Sequence, residues 1–292
     1  MTRAPLRLDA ARAIVGFAFA ESLRRRVFAV VLVLTVIFLA LYGLGSYFAF
    51  REVENLGLGG AALIDERQLT GSTVFGLAMF ATLFLGAVLG TFLTIGVVRG
   101  DAETGLLQPL VVRPLGRPTM LVSRYVGAAA ATVIYVLGVY AIALGLTRVL
   151  GDYTPDSVIA PGLALAAAAA IIAAISMLAS VFMASTAQGI AVFMIFGAGL
   201  VGGLLGQIGS ALDSPSLERI AEIVTWVLPF EALYQQALYL ISSETLGITG
   251  ALVQLGPFGG AQQAGAGLVV WAAVYTAAVI ALAVAGFARR DL

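Results

Sequence analysis

The sequence predicts an all-α polytopic membrane protein, and three observations lead to this fold class. The 292 residues are 61% hydrophobic and only 11% charged, whereas about a quarter of the residues in a soluble domain are charged. The mean hydropathy is +1.03. The apolar residues fall in runs of about 20 or more, which is the length that a helix needs to cross a bilayer. We expect one transmembrane domain over residues 1–292.

The first element is an N-terminal helix within residues 1–26, ahead of the first long apolar run. Its apolar residues, among them Leu8, Ile14 and Phe19, are spaced for one side of a helix, which predicts a cytoplasmic elbow lying in the membrane interface. An ordinary solvated helix capped by arginines is the alternative. The apolar run that follows is too long for a signal peptide, so we expect it to be a retained first span.

Six membrane spans account for the long apolar runs, and an even number of spans places both termini on the same side. The predicted spans are residues 27–50, 73–98, 125–149, 159–184, 190–212 and 268–287.

The distribution of arginine predicts which side is cytoplasmic. All 16 basic residues are arginine, and 12 of them fall in the N-terminal segment, the 99–124 loop, a predicted turn at 185–189 and the C-terminus. Only four fall on the other side, namely Arg51, Arg67, Arg148 and Arg219. Because loops rich in Arg stay in the cytoplasm, both termini are predicted to be cytoplasmic.

Glycines within the spans occur at the four-residue spacing that lets helices approach closely. We interpret them as helix-packing residues and not as a substrate path. The pairs are Gly86 with Gly90, Gly199 with Gly203, and Gly202 with Gly206.

The long extracytoplasmic loop, residues 213–267, contains two amphipathic runs separated by a proline. This pattern predicts a pair of short helices broken at Pro229, either at the outer interface or dipping into the bilayer where protein covers them. The pair either plugs the outer end of the bundle or forms a gate or vestibule. The candidate gate residues are Trp226, Pro229, Phe230, Glu231 and Tyr234.

The residues that the chain lacks exclude several functions. It has no Cys, His or Lys, which removes thiolate chemistry, the commonest metal ligand and the lysine of a phosphate-binding loop. We therefore predict no catalytic residue, no metal site and no cofactor on this chain. The predicted spans also hold no charged residue in their interiors, which disfavours an ion-coupled secondary carrier.

The cytoplasmic loop at residues 99–124 concentrates polar and turn-forming residues. Asp101 can begin a short helix, with Glu103 in its first turn, and Pro114 ends it. Leu106, Leu107 and Leu110 give this helix an apolar side, so the loop is predicted to hold an amphipathic helix that a soluble partner could cover.

This loop resembles the one between spans two and three of ABC-2 type transporter permeases. The stretch "ETGLLQPLVVRPLGRPTMLVSRYVG" shows an acid, a glycine, a leucine pair, Arg-Pro, a further arginine and a basic residue opening the next span. The ending "FARRDL" is similar to that of the family, and "WVLPFEALYQQAL" resembles the outer-loop motif of a subgroup linked to multicopper-enzyme maturation. The chain departs from the family pattern at Thr104, which precedes Gly105, and at Arg124, where the family has lysine.

The resemblance implies that the loop carries a coupling helix that docks on a separate ATP-binding subunit. It also implies two such subunits, a second permease chain (a homodimer), ATP and Mg²⁺ bound on the partner, and a location in the bacterial or archaeal cell (inner) membrane. No nucleic-acid partner is expected. The implied coupling residues are Glu103, Thr104, Gly105, Leu106, Leu107, Leu110, Arg113, Pro114 and Arg117.

The function that follows is the membrane subunit of an ATP-driven exporter, which is not an enzyme by itself. Two alternatives stay open. One is a membrane scaffold that transmits ATP-driven motion to an extracytoplasmic accessory protein, and the other, less favoured, is a secondary carrier.

Overall fold

The computed structural model describes Gly16 and residues 26–55, 66–95, 117–155, 157–242, 265 and 267–289. All regular structure among these residues is helical, which confirms the predicted all-α class. The helices are α1 Arg26–Asn55, α2 Glu66–Thr94, α3 Arg117–Gly151, α4 Ile159–Phe182, α5 Ser185–Ala211, α6 Pro215–Val227, α7 Pro229–Ser242 and α8 Gly267–Ala288. The predicted elbow helix lies outside the described residues apart from Gly16.

The six predicted spans are confirmed as α1 to α5 and α8, which are long and apolar enough to cross a membrane. Their ends differ from the prediction where polar residues extend a helix beyond its apolar part. Helix α2 begins at Glu66 and α3 at Arg117, about two turns before the apolar runs that mark them in the sequence. Hydropathy locates the part of a helix within the bilayer, and it does not locate the polar turns beyond it.

The turn predicted at residues 185–189 is wrong, because these residues form the first turn of α5. Only Met183 and Ala184 separate α4 from α5. The polar stretch of the sequence looks solvated, but Gln188 within it is fully buried. Its amide is hydrogen-bonded inside the bundle, so the polarity does not require a loop.

Helix α4 is the centre of the bundle. Of its apolar window 72% is buried, against 17% for α1 and for α8, and it packs against α2, α3, α7 and α8. Its many alanines allow this close packing from several sides, since small residues let helix backbones approach in a membrane. Helices α1 and α8 therefore form the periphery.

Paired hydroxyl groups join α1 to α3 inside the bundle. The Thr35 and Tyr135 hydroxyls lie 2.5 Å apart, as do those of Tyr42 and Thr147. The hydroxyl of each threonine also donates to the backbone carbonyl four residues earlier. Such bonds satisfy polar groups that would otherwise face hydrocarbon.

The pair of short helices predicted after α5 is present as α6 and α7, and the break falls at the predicted proline. Leu228 has a non-helical backbone, with φ −127° and ψ 69°, as expected for a residue before proline. None of the residues of α6 is buried, whereas most of α7 is buried against α4.

Helix α6 turns back along α5, so that the pair re-enters the bundle. Along α5 the contacts run from Gly209, near Leu217, to Gly202, near Val224, and then to Gly199, near Phe230. Gly199 is the fifteenth of the 27 residues of α5. The break between α6 and α7 therefore lies level with the middle of a membrane-spanning helix.

Candidate functional site

The predicted coupling residues fall almost entirely outside the described residues. This holds for Glu103, Thr104, Gly105, Leu106, Leu107, Leu110, Arg113 and Pro114, while Arg117 is the first residue of α3. Their assignment to ATPase coupling stays a prediction. What the structure describes is the frame around the loop, formed by the end of α2 and the start of α3.

A buried cluster of polar side chains lies at this end of the bundle, which we call the loop end. The cluster, named here the inner polar cluster, consists of Thr91, Thr94, Ser176 and Gln188. The Gln188 Nε2 donates to the Ser176 carbonyl at 2.9 Å and to the Thr94 carbonyl at 3.3 Å. The Thr94 hydroxyl donates to the Ser176 hydroxyl at 2.7 Å. The cluster joins α2, α4 and α5.

The position of the inner polar cluster connects the loop to the rest of the bundle. Thr94 is the last residue of α2, immediately before the segment that contains the predicted coupling helix. Buried hydrogen bonds are costly to leave unmade. A shift of α2 at this level therefore either breaks the hydrogen bonds of the inner polar cluster or moves α4 and α5 together with α2.

Next to the cluster, an apolar groove runs between α2 and α5. The α2–α5 groove has a volume of about 750 Å³ and is open along one side. The residues that line it are Phe92, Ile95, Ser185, Thr186, Gly189, Ile190, Phe193 and Met194. Hydroxyl groups occur only at its end nearest the loop, so the groove suits a hydrocarbon or aromatic group better than a charged one.

The predicted packing glycines on α2 lie against α3 and α4. A Cβ placed on Gly86 would lie 2.5 Å from Val136 Cγ2, and one on Gly90 would lie 3.1 Å from Ala173 Cβ. A larger side chain at either position would push these helices apart.

The predicted packing glycines on α5 lie against the re-entrant pair and not against another span. A Cβ on Gly199 would lie 2.5 Å from Phe230 Cζ, one on Gly202 would overlap Val224, and one on Gly203 would overlap the Glu231 carboxyl. Gly206 is buried on the same helix. These glycines form a groove in α5 that receives α6 and α7.

The predicted gate residues of α7 are buried within the bundle. The Phe230 ring stacks on Phe196 of α5, with ring centroids 5.9 Å apart, and the Tyr234 ring meets Phe80 of α2 edge-on at 6.2 Å. Pro229 begins the helix and is buried as well. This arrangement closes the space between α2, α4 and α5.

Trp226, the remaining gate candidate, is 55% exposed at the end of α6. The Trp271 Nε1 of α8 donates to the Trp226 carbonyl at 3.0 Å, and the two rings meet edge-on with centroids 5.5 Å apart. These contacts tie the break in the re-entrant pair to α8. A gate role for these residues stays a prediction.

Glu231 is a buried carboxylic acid at the level of Gly203, and it lies on α7, outside the six spans that were expected to hold no charged residue. It is 1% exposed, Gln235 donates to its Oε1, and its Oε2 has no hydrogen-bond partner. Burial raises its pKa from 4.5 to about 7, opposed by the Gln235 hydrogen bond. The expectation concerned only the six predicted spans, and Glu231 enters the bundle on α7 outside them.

Sequence reasoning did not identify Gln188 and Ser176, which join three helices. A glutamine between apolar runs is typical of a turn, and a serine in an alanine-rich span is typical of packing. In the sequence, Ser176 lies about two turns before the end of α4 and Gln188 lies in the first turn of α5, and this closeness to one connection does not by itself predict a contact.

Comparison with known proteins identifies a family for this chain. A family model described as "ABC-2 family transporter protein" matches residues 12–292. No curated protein matches the chain.

Proposed function

We propose that this chain, which belongs to the ABC-2 family of transporter proteins, couples ATP hydrolysis by a separate subunit to the export of a substrate. The chain is a multi-pass membrane protein, and members of its family are non-catalytic membrane subunits. In the proposed complex, two ATP-binding subunits hold ATP and Mg²⁺ and drive two copies of this chain. The likeness to the multicopper-maturation subgroup stays a prediction.

The observation that carries the proposal is the position of the inner polar cluster beside the predicted coupling loop. Closure of the ATP-binding subunits would push on the loop, and the loop is continuous with α2 and α3. Thr94 at the end of α2 is bonded to Ser176 and Gln188, so the push would reach α4 and α5 at the same level. Discrete hydrogen-bonded contacts of this kind can move as a unit.

Movement of α5 would in turn act on the re-entrant pair, since α5 holds that pair in its glycine groove. At Gly199 and Gly202, α5 is in close contact with α7 and α6, so there is no free space between these helices. Packed interfaces of this kind shift between discrete arrangements. In this mechanism the buried residues of α7 close the path in the resting state. A shift of α5 opens the path to the opposite side.

The α2–α5 groove is the proposed substrate path. Its lining is almost entirely apolar, which supports a hydrophobic or amphiphilic substrate. The groove is open on one side, and a second copy of the chain placed across it would enclose the path between two copies of α5.

The experiment that tests the proposal is affinity purification of the tagged chain from its native membrane, followed by identification of stoichiometric partners. We expect an ATP-binding subunit to co-purify. The double variant Leu106→Asp, Leu107→Asp puts two charges on the apolar side of the predicted coupling helix, and we expect it to lose this subunit.

Leu212→Asp provides the matched control, because Leu212 is 69% exposed at the other end of α5. This variant should retain the partner. Purification of the wild-type chain without an ATP-binding subunit, or retention of the subunit by the double variant, would refute the proposed role of the loop.

A second function is favoured by the exposed apolar side of α6. Ile220 in the second turn of α6, toward the outer end of the pair, is 45% exposed, so an extracytoplasmic accessory protein could bind there. In this case the chain would transmit ATP-driven motion without transporting anything. Substrate-stimulated ATP hydrolysis by the purified complex would support transport, and a stoichiometric extracytoplasmic partner in the same purification would support transmission.

A further inference from the structure

Two buried polar atoms have no hydrogen-bond partner where α7 lies against the second half of α5. One is Oε2 of Glu231, whose side chain is 1% exposed, and the other is Nε2 of Gln207. An added Cβ at Gly203 would overlap the Glu231 carboxyl and would lie 2.7 Å from Gln235 Nε2. Gln207 follows Gly203 by about one turn, so the two share one side of α5. We call this polar, incompletely bonded region the α5–α7 contact.

The α5–α7 contact combines apolar packing that holds α7 in place with a carboxyl group that opposes it. The ring of Phe230, which precedes Glu231 in the chain, stacks on Phe196 of α5 with ring centroids 5.9 Å apart. Burial of a polar group without a partner is unfavourable, and burial of an ionised carboxylate is more unfavourable still. The charge of Glu231 therefore determines how firmly α7 is held against α5.

Among the described residues, no cation is bonded to Glu231. Its Oε1 accepts a hydrogen bond from Gln235, and its Oε2 has no partner. The charged side chains of α6 are exposed, and Arg67 of α2 lines a separate pocket at the ends of α1 and α3. The other ionisable residues on α7 and on the helices that pack against it are Glu66, Arg67, Glu218, Arg219, Glu222, Tyr234, Tyr239 and Tyr275.

A proton balances the charge of Glu231 without further ligands. It binds one carboxylate oxygen, which becomes a hydroxyl group, and no other bond changes. A metal ion would need several oxygen ligands, and the described residues include no group of three or more metal-ligating side chains that could hold one. Burial raises the pKa of Glu231 to about 7 where α7 is closed, opposed by the Gln235 hydrogen bond, and exposure to water would return this pKa to the ordinary value of 4.5.

We propose that Glu231 binds one proton when α7 closes against α5 and releases it when α7 moves away. Opening of α7 is then favoured as the pH rises, because the closed arrangement binds the proton more tightly than the open one. Gly203 is the nineteenth of the 27 residues of α5, so the proton exchanges with the side of the membrane opposite the loop. The proposal rests on the proposed function in one respect, the movement of α7 relative to α5, and it adds that the pH on that side controls this movement.

The experiment measures opening of α7 in the purified full-length chain, without an ATP-binding subunit. Because the chain has no Cys, a single introduced cysteine is its only thiol. Ala237→Cys places this thiol on α7 at a position that is 0% exposed, and its rate of reaction with a water-soluble maleimide reports the open fraction. Division by the rate for Leu212→Cys, which is 69% exposed at the end of α5, removes the pH dependence of the thiol itself.

We expect the normalised rate for Ala237→Cys to rise about tenfold between pH 6 and pH 8. In combination with Glu231→Gln, which is neutral at each pH, the same thiol should react slowly throughout this range. Glu222→Gln, which changes an exposed acid on α6, should keep the rise. Ala232→Cys, 5% exposed on α7, is a second reporter and should give the same profile.

Ala131→Cys separates the opening of α7 from the unfolding of the whole chain. Ala131 is 2% exposed on α3, whose main contacts are with α1, α2 and α4, so this variant should react more slowly than Ala237→Cys. Equal rates for the two would indicate unfolding and would overturn the proposal, as would a rise that persists with Glu231→Gln. A rate for Ala237→Cys that does not change with pH would overturn the link to the proton alone, whereas no reaction at any pH would also contradict the movement of α7 in the proposed function.

Discussion

Glu231 shows how one residue changes the chemistry of a bundle that is otherwise apolar. Among the described residues of α4 and α5, which pack against α7, none is ionisable. The other helices that pack against α7 do carry titratable residues. Tyr275 is the titratable residue within α8, and Tyr234 lies on α7 itself. The charged side chains of α6 are exposed, namely those of Glu218, Arg219 and Glu222. Arg67 lies at the start of α2. The carboxyl therefore has Gln235 as its hydrogen-bonding neighbour, and burial favours its neutral form.

Protonation of Glu231 should make the stability of the protein depend on pH. The pKa of Glu231 is about 7 in the folded chain, where burial raises it from the ordinary value of 4.5, so the folded state binds more protons between these pH values. Stability is then fully present below about pH 4.5 and falls by about 3 kcal/mol as the pH rises to about 7. Thermal unfolding of the purified chain between pH 4.5 and 8 measures this fall.

The variant Glu231→Gln isolates the effect, since glutamine has no charge at any of these pH values. We expect its unfolding temperature to fall less than that of the wild type between pH 5 and 8. Glu222→Gln, an exposed acid on α6, should keep the wild-type profile. Identical profiles for Glu231→Gln and the wild type would mean that Glu231 is ionised in the folded protein.

Gln188 and Gln207 provide a second comparison at the residue scale, because both lie on α5 and their amides differ in partners. Gln188 Nε2 makes hydrogen bonds to α2 and α4, whereas Gln207 Nε2 is buried without a partner. Gln188→Leu should therefore reduce stability by about 1–3 kcal/mol, and Gln207→Leu should be nearly neutral. Denaturation of the two variants in the same detergent measures the difference, and equal losses would remove the structural role proposed for the inner polar cluster.

At the scale of elements, the amino-acid sequence predicts the spans well and their surroundings poorly. The length of each apolar run reflects the thickness of the bilayer, and this constraint alone locates all six spans. The start of α5 was misplaced because the partners of Gln188 come from α2 and α4, which are distant in sequence. Local polarity cannot distinguish a solvated side chain from a buried one with distant partners.

The re-entrant pair illustrates the same limit. Pro229 and the amphipathic spacing predict two short helices, and the glycine spacing on α5 predicts a close approach. Neither pattern says that the glycines receive α6 and α7, because this depends on how the chain returns after α5. The polarity of Glu231 and Gln235 indicates only that these side chains do not face lipid, and in the structure they bond to each other inside the bundle.

Glycine substitutions on α5 should separate packing from helix propensity. A Cβ at Gly202 would overlap Val224 and lie 2.7 Å from its Cβ, whereas one at Gly197 meets nothing within 4 Å. Gly202→Ala should lower stability by about 1–3 kcal/mol, since a short, branched side chain near the backbone cannot move aside. Gly197→Ala should be neutral or stabilising by up to about 1 kcal/mol.

Thermal unfolding of the two alanine variants measures the contrast. Equal unfolding temperatures would show that the contact between α5 and α6 is not tight in the membrane protein, and the mechanism by which α5 moves the re-entrant pair would then lack its basis.

At the scale of the whole molecule, the described chain is a set of packed helices. It has no Cys, His or Lys, and the family to which it belongs consists of membrane subunits. The two ends of the bundle are connected through α5, which carries Gln188 near its start and the glycine groove in its second half. In the proposed mechanism, force therefore enters the molecule at the loop end.

The most direct test of this account is the rate of ATP hydrolysis by the ATP-binding partner, measured alone and with this chain in lipid nanodiscs. We predict a higher rate with the wild-type chain. The variant Leu106→Asp, Leu107→Asp should return the rate to that of the partner alone, while Leu212→Asp keeps the stimulation. A rate that is the same with the wild-type chain, the double variant and no chain at all would contradict the claim that the loop couples this protein to ATP hydrolysis.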